Sequence, residues 1–270
     1  GRNTVEKRKS TERRIGEHSW WRIILSVLAG QMIAGSAIAQ PLDANHPELV
    51  WHSFETEHFV YHYHDGADRT ARVIAKIAEE VYPTITRLYN YEPDTKINFV
   101  IKDTDDYANG GAYYYNNRIL IWCTALDFDL RGTVNWLRNV ITHEFTHIIQ
   151  LGASRKSIRS IPAFYLQILG YEDEKRPDVL YGYPNILVSY PFALTTIPMW
   201  FAEGTAQTNH TDFEYDFWDS HRDMQVRIRT LTNTLLPLNE MEVFGKSSLG
   251  NEGVYNHGYG LVLYIVEQYG

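Results

Sequence analysis

A single cysteine, Cys123, stands among the 270 residues. One thiol excludes an intrachain disulfide, an all-cysteine structural zinc site and an iron–sulfur cluster held by this chain alone. Positive charge is also scarce. The 25 Lys and Arg face 33 Asp and Glu, for a net charge of −8. Nucleic-acid-binding modules carry a basic footprint, so no nucleic-acid partner is expected. After residue 40 no apolar run is long enough to cross a bilayer, so no transmembrane span is expected in the mature chain. Internal repeats and low-complexity tracts are absent as well. What is present is an ordinary globular mixture, 44% hydrophobic and 21% charged. Nineteen tyrosines favour a well-packed core with broad contact surfaces.

The charge is unevenly spread. Residues 1–22 hold seven basic and three acidic groups; the other 18 basic and 30 acidic groups leave the body at −12. This basic stretch runs into Ile23–Ala39, seventeen residues without charge, ending Ser36-Ala37-Ile38-Ala39. A basic start, an apolar run and small residues at Ala37 and Ala39 are the parts of an export signal. Residues 1–39 are therefore read as a signal peptide, and 40–270 as one domain in the periplasm, cell envelope or extracellular space. An uncleaved anchor is the competing reading. The run is short for a bilayer span and is interrupted by Gln31.

The body reads as α+β. Residues 58–64 alternate like a strand and end at the turn signal Asp65-Gly66. From Ala67 to about Leu88 the pattern is that of an amphipathic helix, with Ala71, Ile74, Ile77, Ala78 and Val81 on one face and Pro83 expected to kink or end it. Lys96–Lys102 reads as a second strand. Gly111–Tyr115 and Arg118–Cys123 read as a hairpin around Asn116-Asn117, because Asn tolerates positive φ. A helix is expected from Thr133 to Leu151, with Gly152 as its stop signal. Beyond it no strand is expected. Residues 153–197, which hold four prolines, read as irregular, and Pro198–His210, Asp219–Thr230 and Tyr255–Tyr269 read as helices. The expected layout is a sheet-bearing half at about 50–152 and a helical half at about 153–270.

The central helix carries His143-Glu144-Phe145-Thr146-His147, an H-E-x-x-H motif. Residues four apart share a helix face, so both imidazoles can reach one metal ion. Glu144 is offset toward the place of a metal-activated water. Val140, Ile141, Phe145, Ile148 and Ile149 mark the helix as buried, and charged residues in such a place need a reason. A tetrahedral zinc site wants one more protein ligand. Glu203, an isolated carboxylate in Pro198–Gln207, is the candidate. Gly204 and Ala206 beside it would let its helix approach another closely.

HEFTHIIQ followed by WFAEGTAQ resembles the gluzincin branch of the zinc metallopeptidases. More narrowly, it is similar to the peptidase-MA-like domains of exported bacterial proteins, often followed by a Tol-type β-propeller. The resemblance runs from about Trp51 to Gly270 and takes in HFVYHY, DDYANGGAYYYNNRILIW and YNHGYGLVLYIVEQYG. It implies a zincin-like fold, zinc on His143, His147 and Glu203, and Glu144 as catalytic base. It also implies a further C-terminal domain beyond residue 270. The gap from His147 to Glu203 is longer than in thermolysin-like and aminopeptidase-N-like enzymes, so their specificity is not implied. The expected activity is hydrolysis of peptide bonds in a peptide or protein substrate. Zinc activates the water and Glu144 moves the proton. Tyr255 or His257, placed at the start of the last helix, is a candidate oxyanion donor. Asn109, Gly110, Gly111 and Ala112 are candidates for a sheet edge that binds substrate by strand addition.

Weaker constellations have plain readings. His62 and His64 share a strand face and are read as surface residues rather than a second metal pair. Asp103, Asp105 and Asp106 lack EF-hand spacing and read as a solvated turn. The aromatic and acidic stretch Asp212–Asp223 reads equally as a substrate surface or a solvated helix start. Cys123 reads as a small core residue. Two other functions share the same residues: a zinc hydrolase of a non-protein substrate, and a non-catalytic envelope binding module that keeps the fold. The export reading has its own test. N-terminal sequencing of the secreted protein is expected to start at or near Gln40; retention of residues 1–39 would overturn it.

Overall fold

The computed structural model describes residues 46, 48–104, 107–125, 135–155, 161, 163–170, 186–193, 197–212, 220–244 and 248–269. The chain divides into Gly1–Pro47 and Glu48–Gly270, and the architecture below belongs to the second unit. The expected signal peptide, Asp105, Asp106 and the aromatic run Phe213–Trp218 lie outside the described residues.

The fold is α+β, with a five-stranded mixed sheet and, among the described residues, five α-helices. Strands β1 (Trp51–Glu55), β2 (Phe59–His64), β3 (Ile97–Lys102), β4 (Ala108–Tyr113) and β5 (Arg118–Cys123) lie in the order β1-β2-β3-β5-β4. The middle pairs, β2 with β3 and β3 with β5, are parallel. The outer pairs, β1 with β2 and β4 with β5, are antiparallel. Helix α1 (Asp68–Leu88) makes the crossover between β2 and β3. Alternate strand residues Phe59, Tyr61, Ile97, Phe99, Ile101, Ile119 and Ile121 point to one side. There they form a single core with Ile74, Ala78, Val81 and Ile85 of α1 and with Ile141, Phe145 and Ile148 of α2 (Trp136–Ser154). Strand period two meets helix period 3.6 at that layer.

Several expectations need correction. Pro83 sits inside α1 without ending it. It lies on the exposed face while Tyr82 and Ile85 remain buried, so water can serve the carbonyl that its missing N–H leaves unpaired. The β4–β5 connection is longer than an Asn-Asn pair: Tyr114–Asn116 form a 3₁₀ turn, and Asn117 alone takes the left-handed conformation, at φ 48°. Gly152 does not stop α2. It lies within the helix, where a Cβ would come 2.6 Å from the Tyr91 ring. β1 was not expected, because four of its five residues are exposed and the strand shows no alternation. Two further strands, β6 (Ala163–Gly170) and β7 (Ile186–Ala193), pair antiparallel in the region read as irregular. Pro191 itself pairs with Tyr165; a two-stranded ribbon tolerates proline where a central strand would not.

Three more helices follow: α3 (Met199–Asp212), α4 (Ser220–Leu231) and α5 (Ser248–Tyr269). α5 starts seven residues before Tyr255, so Tyr255 and His257 lie inside it rather than at its start. No helix among the described residues is long and apolar enough to cross a membrane.

A half-buried carboxylate ties α1 to the β1–β2 turn. Glu79 accepts hydrogen bonds from the Thr56 hydroxyl, the His58 N–H (3.0 Å) and His58 Nδ1 (2.6 Å). Burial alone would raise its pKa, but the hydrogen bonds from His58 and Thr56 outweigh this and hold it below the usual 4.5. A depressed folded pKa gives stability that is present above the unfolded value and lost as pH falls through the folded one. Glu79→Gln is therefore expected to lower stability by about 1–3 kcal/mol at pH 7. The deficit should shrink toward pH 3, as read by urea unfolding at both pH values. An equal deficit at both would show that the charge plays no part.

Candidate metal centre

α2 begins where the Asn135 side chain accepts the Arg138 N–H (3.4 Å), a normal N-cap. From Val140 to Gln150 every residue is buried. His143, Glu144 and His147 are therefore fixed on a rigid element in the centre of the molecule. α3 brings the third group. Its first N–H groups are satisfied by Glu242 and Met241 carbonyls, bonded to Met199 and Trp200 at 3.0 Å each. One turn later Glu203 enters the interior.

The three side chains converge. His143 Nε2 lies 2.9 Å from Glu203 Oε2, His147 Nε2 lies 3.2 Å from the same oxygen, and the two ring nitrogens are 3.0 Å apart. All three residues are buried. Tetrahedral zinc with ligands at about 2.0–2.1 Å keeps its donor atoms about 3.3 Å apart. The triangle is slightly tighter than that, around a shared point, and its two imidazoles and one carboxylate are a normal zinc donor set. This group can hold a metal ion, and among the described residues it alone has that form.

Electrostatics follow from burial. Burial opposes charge on His147, but the Glu203 carboxylate outweighs it and raises the imidazole's pKa. Burial likewise opposes charge on Glu203, but the His147 charge and the hydrogen bonds from both imidazoles pull it down. For Glu144 burial wins. Burial pushes its carboxyl up to about 7, with His147 lowering it, Glu203 raising it and the Ala112 N–H lowering it slightly.

Glu144 faces the edge strand. β4 is the outermost strand of the sheet, as expected for Asn109–Tyr115. A Cβ on Gly110 would stand 2.5 Å from Val140 Cγ2 and 2.6 Å from Glu144 Oε1, so only glycine lets β4 lie this close to α2. Gly111 is under no such constraint. Asn109 is exposed, accepts the Gly110 N–H (3.0 Å) and donates to Tyr107 Oη (2.9 Å). Of the four expected residues, Gly110 and Ala112 border Glu144, while Asn109 and Gly111 face the other side of the strand.

Tyr255 and His257 part company. The Tyr255 ring lies 6.1 Å from the His143 ring and stacks on Phe244, at 5.5 Å. His257 is turned away. Its Nδ1 bonds to the Gly253 carbonyl, and its ring lines a separate, mostly apolar cavity of about 360 Å³ with Leu236, Pro237 and Met241. The structure therefore brings Tyr255, and not His257, beside the three converging groups.

The weaker readings also resolve. His64 is buried, not a surface residue. Its Nδ1 donates to the Asp65 carbonyl (2.8 Å) and its Nε2 accepts the Asp103 N–H (3.0 Å), which fixes one neutral tautomer. His62 is half-buried and bonds Ser53 and Asn98. Both imidazoles are engaged within the sheet region. Cys123 packs half-buried against the core, and burial raises its thiol to about 12.

Sequence reasoning missed the polar contacts that bind α3 to α2. Asn209 Nδ2 donates to Thr146 Oγ1 (2.7 Å), and Gln150 Nε2 reaches the Phe201 carbonyl (3.4 Å). The only signal was a polar residue on the inner face of a helix, with nothing to name its partner.

Compared with known proteins, the chain matches no protein-family model and no curated protein.

The close approach that delivers Glu203 can be tested. A Cβ on Gly204 would stand 2.3 Å from the Gly258 carbonyl group, and one on Gly258 would stand 2.2 Å from the Trp200 carbonyl oxygen. α3 and α5 cross backbone on backbone, as Gly204 suggested. Backbone cannot swing aside as a side chain can. Gly204→Ala is expected to lower stability by about 1–3 kcal/mol. If the triangle holds a metal ion, the substitution should also weaken that binding, measured by chelator competition. Unchanged unfolding and unchanged affinity would contradict this packing.

Proposed function

We propose that this protein is an exported, zinc-dependent peptidase of gluzincin type with a zincin-like arrangement of sheet and helices. The observation that carries the reading is the buried triangle of His143, His147 and Glu203, with the buried carboxylate of Glu144 alongside. Burying two imidazoles and two carboxylates in one apolar layer is unfavourable unless something uses them. A metal centre does, and the sequence pattern at residues 1–39 supports export.

His143, His147 and Glu203 would hold the zinc. When bound, zinc supplies Lewis acidity, which polarises a carbonyl and makes water a better nucleophile near neutral pH. The remaining work falls to the chain's own groups. Glu144 takes a proton from the attacking water and returns it to the leaving amine. The Ala112 N–H holds the carboxylate in place. β4, which lies against Glu144 and among the described residues pairs on one side only, would offer its other edge to an extended peptide backbone. Tyr255, whose ring lies 6.1 Å from that of His143, would donate its hydroxyl hydrogen bond to a developing oxyanion.

Two variants separate binding from chemistry. Glu144→Gln preserves size and removes the base, so zinc should stay bound while peptide turnover falls by roughly 10²–10⁴. His147→Ala should lose zinc and activity together. Elemental analysis and a peptide-library cleavage assay, with and without chelator, read both. Full activity in zinc-loaded Glu144→Gln would sink the mechanism. A zinc-loaded wild type that cuts no peptide would show that the centre serves another substrate or none.

A further inference from the structure

Asn209 lies on α3, six residues beyond Glu203, and is almost fully buried, at 2% exposure. Its amide joins three helices. Nδ2 donates to Thr146 Oγ1 on α2 (2.7 Å), and Oδ1 accepts the hydroxyl of Tyr89 (3.2 Å), the residue that caps the end of α1. The Thr146 hydroxyl itself donates to the Thr142 carbonyl one turn back (2.7 Å).

Donor counting fixes the direction of this chain. A threonine hydroxyl has one proton. That of Thr146 is spent on the Thr142 carbonyl, so its oxygen can only accept from Asn209. The amide must therefore present nitrogen to Thr146 and oxygen to Tyr89. A carboxylate or an apolar side chain at 209 cannot meet both demands. Thr146 directly precedes His147, so this link reaches α2 beside one corner of the triangle.

Elsewhere the α2–α3 contact holds one longer hydrogen bond, from Gln150 Nε2 to the Phe201 carbonyl (3.4 Å), besides the Glu203 contacts themselves. Ala202 and Ala206 are small and buried, and the contact of Gly204 with Gly258 fixes how closely α3 approaches α5, not α2. Smooth, small-residue surfaces let helices slide; a directional hydrogen bond does not. A shift of one residue along α3 is a rise of about 1.5 Å and a turn of about 100°, which would swing Glu203 out of the triangle.

We propose that Asn209 is the positioning residue of the metal centre: through Thr146 and Tyr89 it locks the register of α3 against α2 and so keeps Glu203 opposite the two imidazoles. The inference rests on reading His143, His147 and Glu203 as a metal centre, and its test is chosen so that either can fail alone.

The test uses the full chain, with Asn209→Leu (near-isosteric) and Thr146→Val, which removes the acceptor from the other side. Zinc affinity is measured by competition with a chromophoric chelator, and folding by circular dichroism. Both variants should remain folded and bind zinc about 10–100-fold more weakly, the usual effect of losing a group that orients a ligand. The cobalt-substituted forms should show altered visible bands, which a loss of stability alone would not produce. If Asn209→Leu does not fold, Thr146→Val carries the test. Affinity within about twofold of wild type overturns the inference. A metal-free readout runs beside it: urea midpoints of Asn209→Leu, Glu203→Gln and the double variant. If Asn209 positions Glu203, the double variant loses less than the sum of the singles; additive losses overturn the inference. A wild type that binds no zinc defeats the metal reading, and the urea cycle still decides the role of Asn209.

Discussion

A carboxylate buried between two imidazoles is the interaction on which the rest of this structure depends. Glu203 is 6% exposed, on a helix that also buries Ala202 and Ala206 and beside one that buries Val140, Ile141 and Phe145. A lone carboxylate in that place would be strongly unfavourable. His143 and His147 make it tolerable, and they can do so only because a helix places residues four apart on one face. Once that pairing is required, much of the fold follows. α3 must lie on α2, α5 must close over α3, and the crossing must be tight enough that glycine faces backbone.

The sheet has a different task. Its parallel centre and the α1 crossover build an apolar layer that makes α2 a rigid beam. Its outermost strand is the part that meets chemistry. β4 comes close to α2 at Gly110 and reaches Glu144 through the Ala112 N–H. The site is thus assembled from two sources: a helix pair that gathers the donors, and a sheet edge that flanks Glu144. A metal ion held there would couple its binding energy to this whole arrangement, because the unfolded chain has no such triangle.

How much of this was legible depends on the range of the signal. The inner face of α1 was readable from Ala71, Ile74, Ile77, Ala78 and Val81, because helix period is a local property. The H-E-x-x-H spacing fixed two donors for the same reason, and Glu203 stood out as a charge among apolar neighbours. β1 was hidden because an exposed outer strand need not alternate. β6 and β7 were hidden because prolines argue against strands, and a two-stranded ribbon relaxes that rule. The start of α5 was hidden because Gly250 and Gly253 are poor helix formers, while Gly258 within the helix serves the contact with α3. The Asn209–Thr146 link spans 63 residues and the Asn209–Tyr89 link 120, and no local pattern encodes either.

The central claim is that three residues from two helices share one metal ion. Anomalous diffraction at the zinc edge, from crystals of the full chain grown with zinc, tests it most directly. The account predicts one strong peak about 2.0–2.2 Å from His143 Nε2, His147 Nε2 and a Glu203 carboxylate oxygen, with Glu144 outside bonding distance. No peak within the triangle, or a peak that leaves Glu203 unbound, would contradict it.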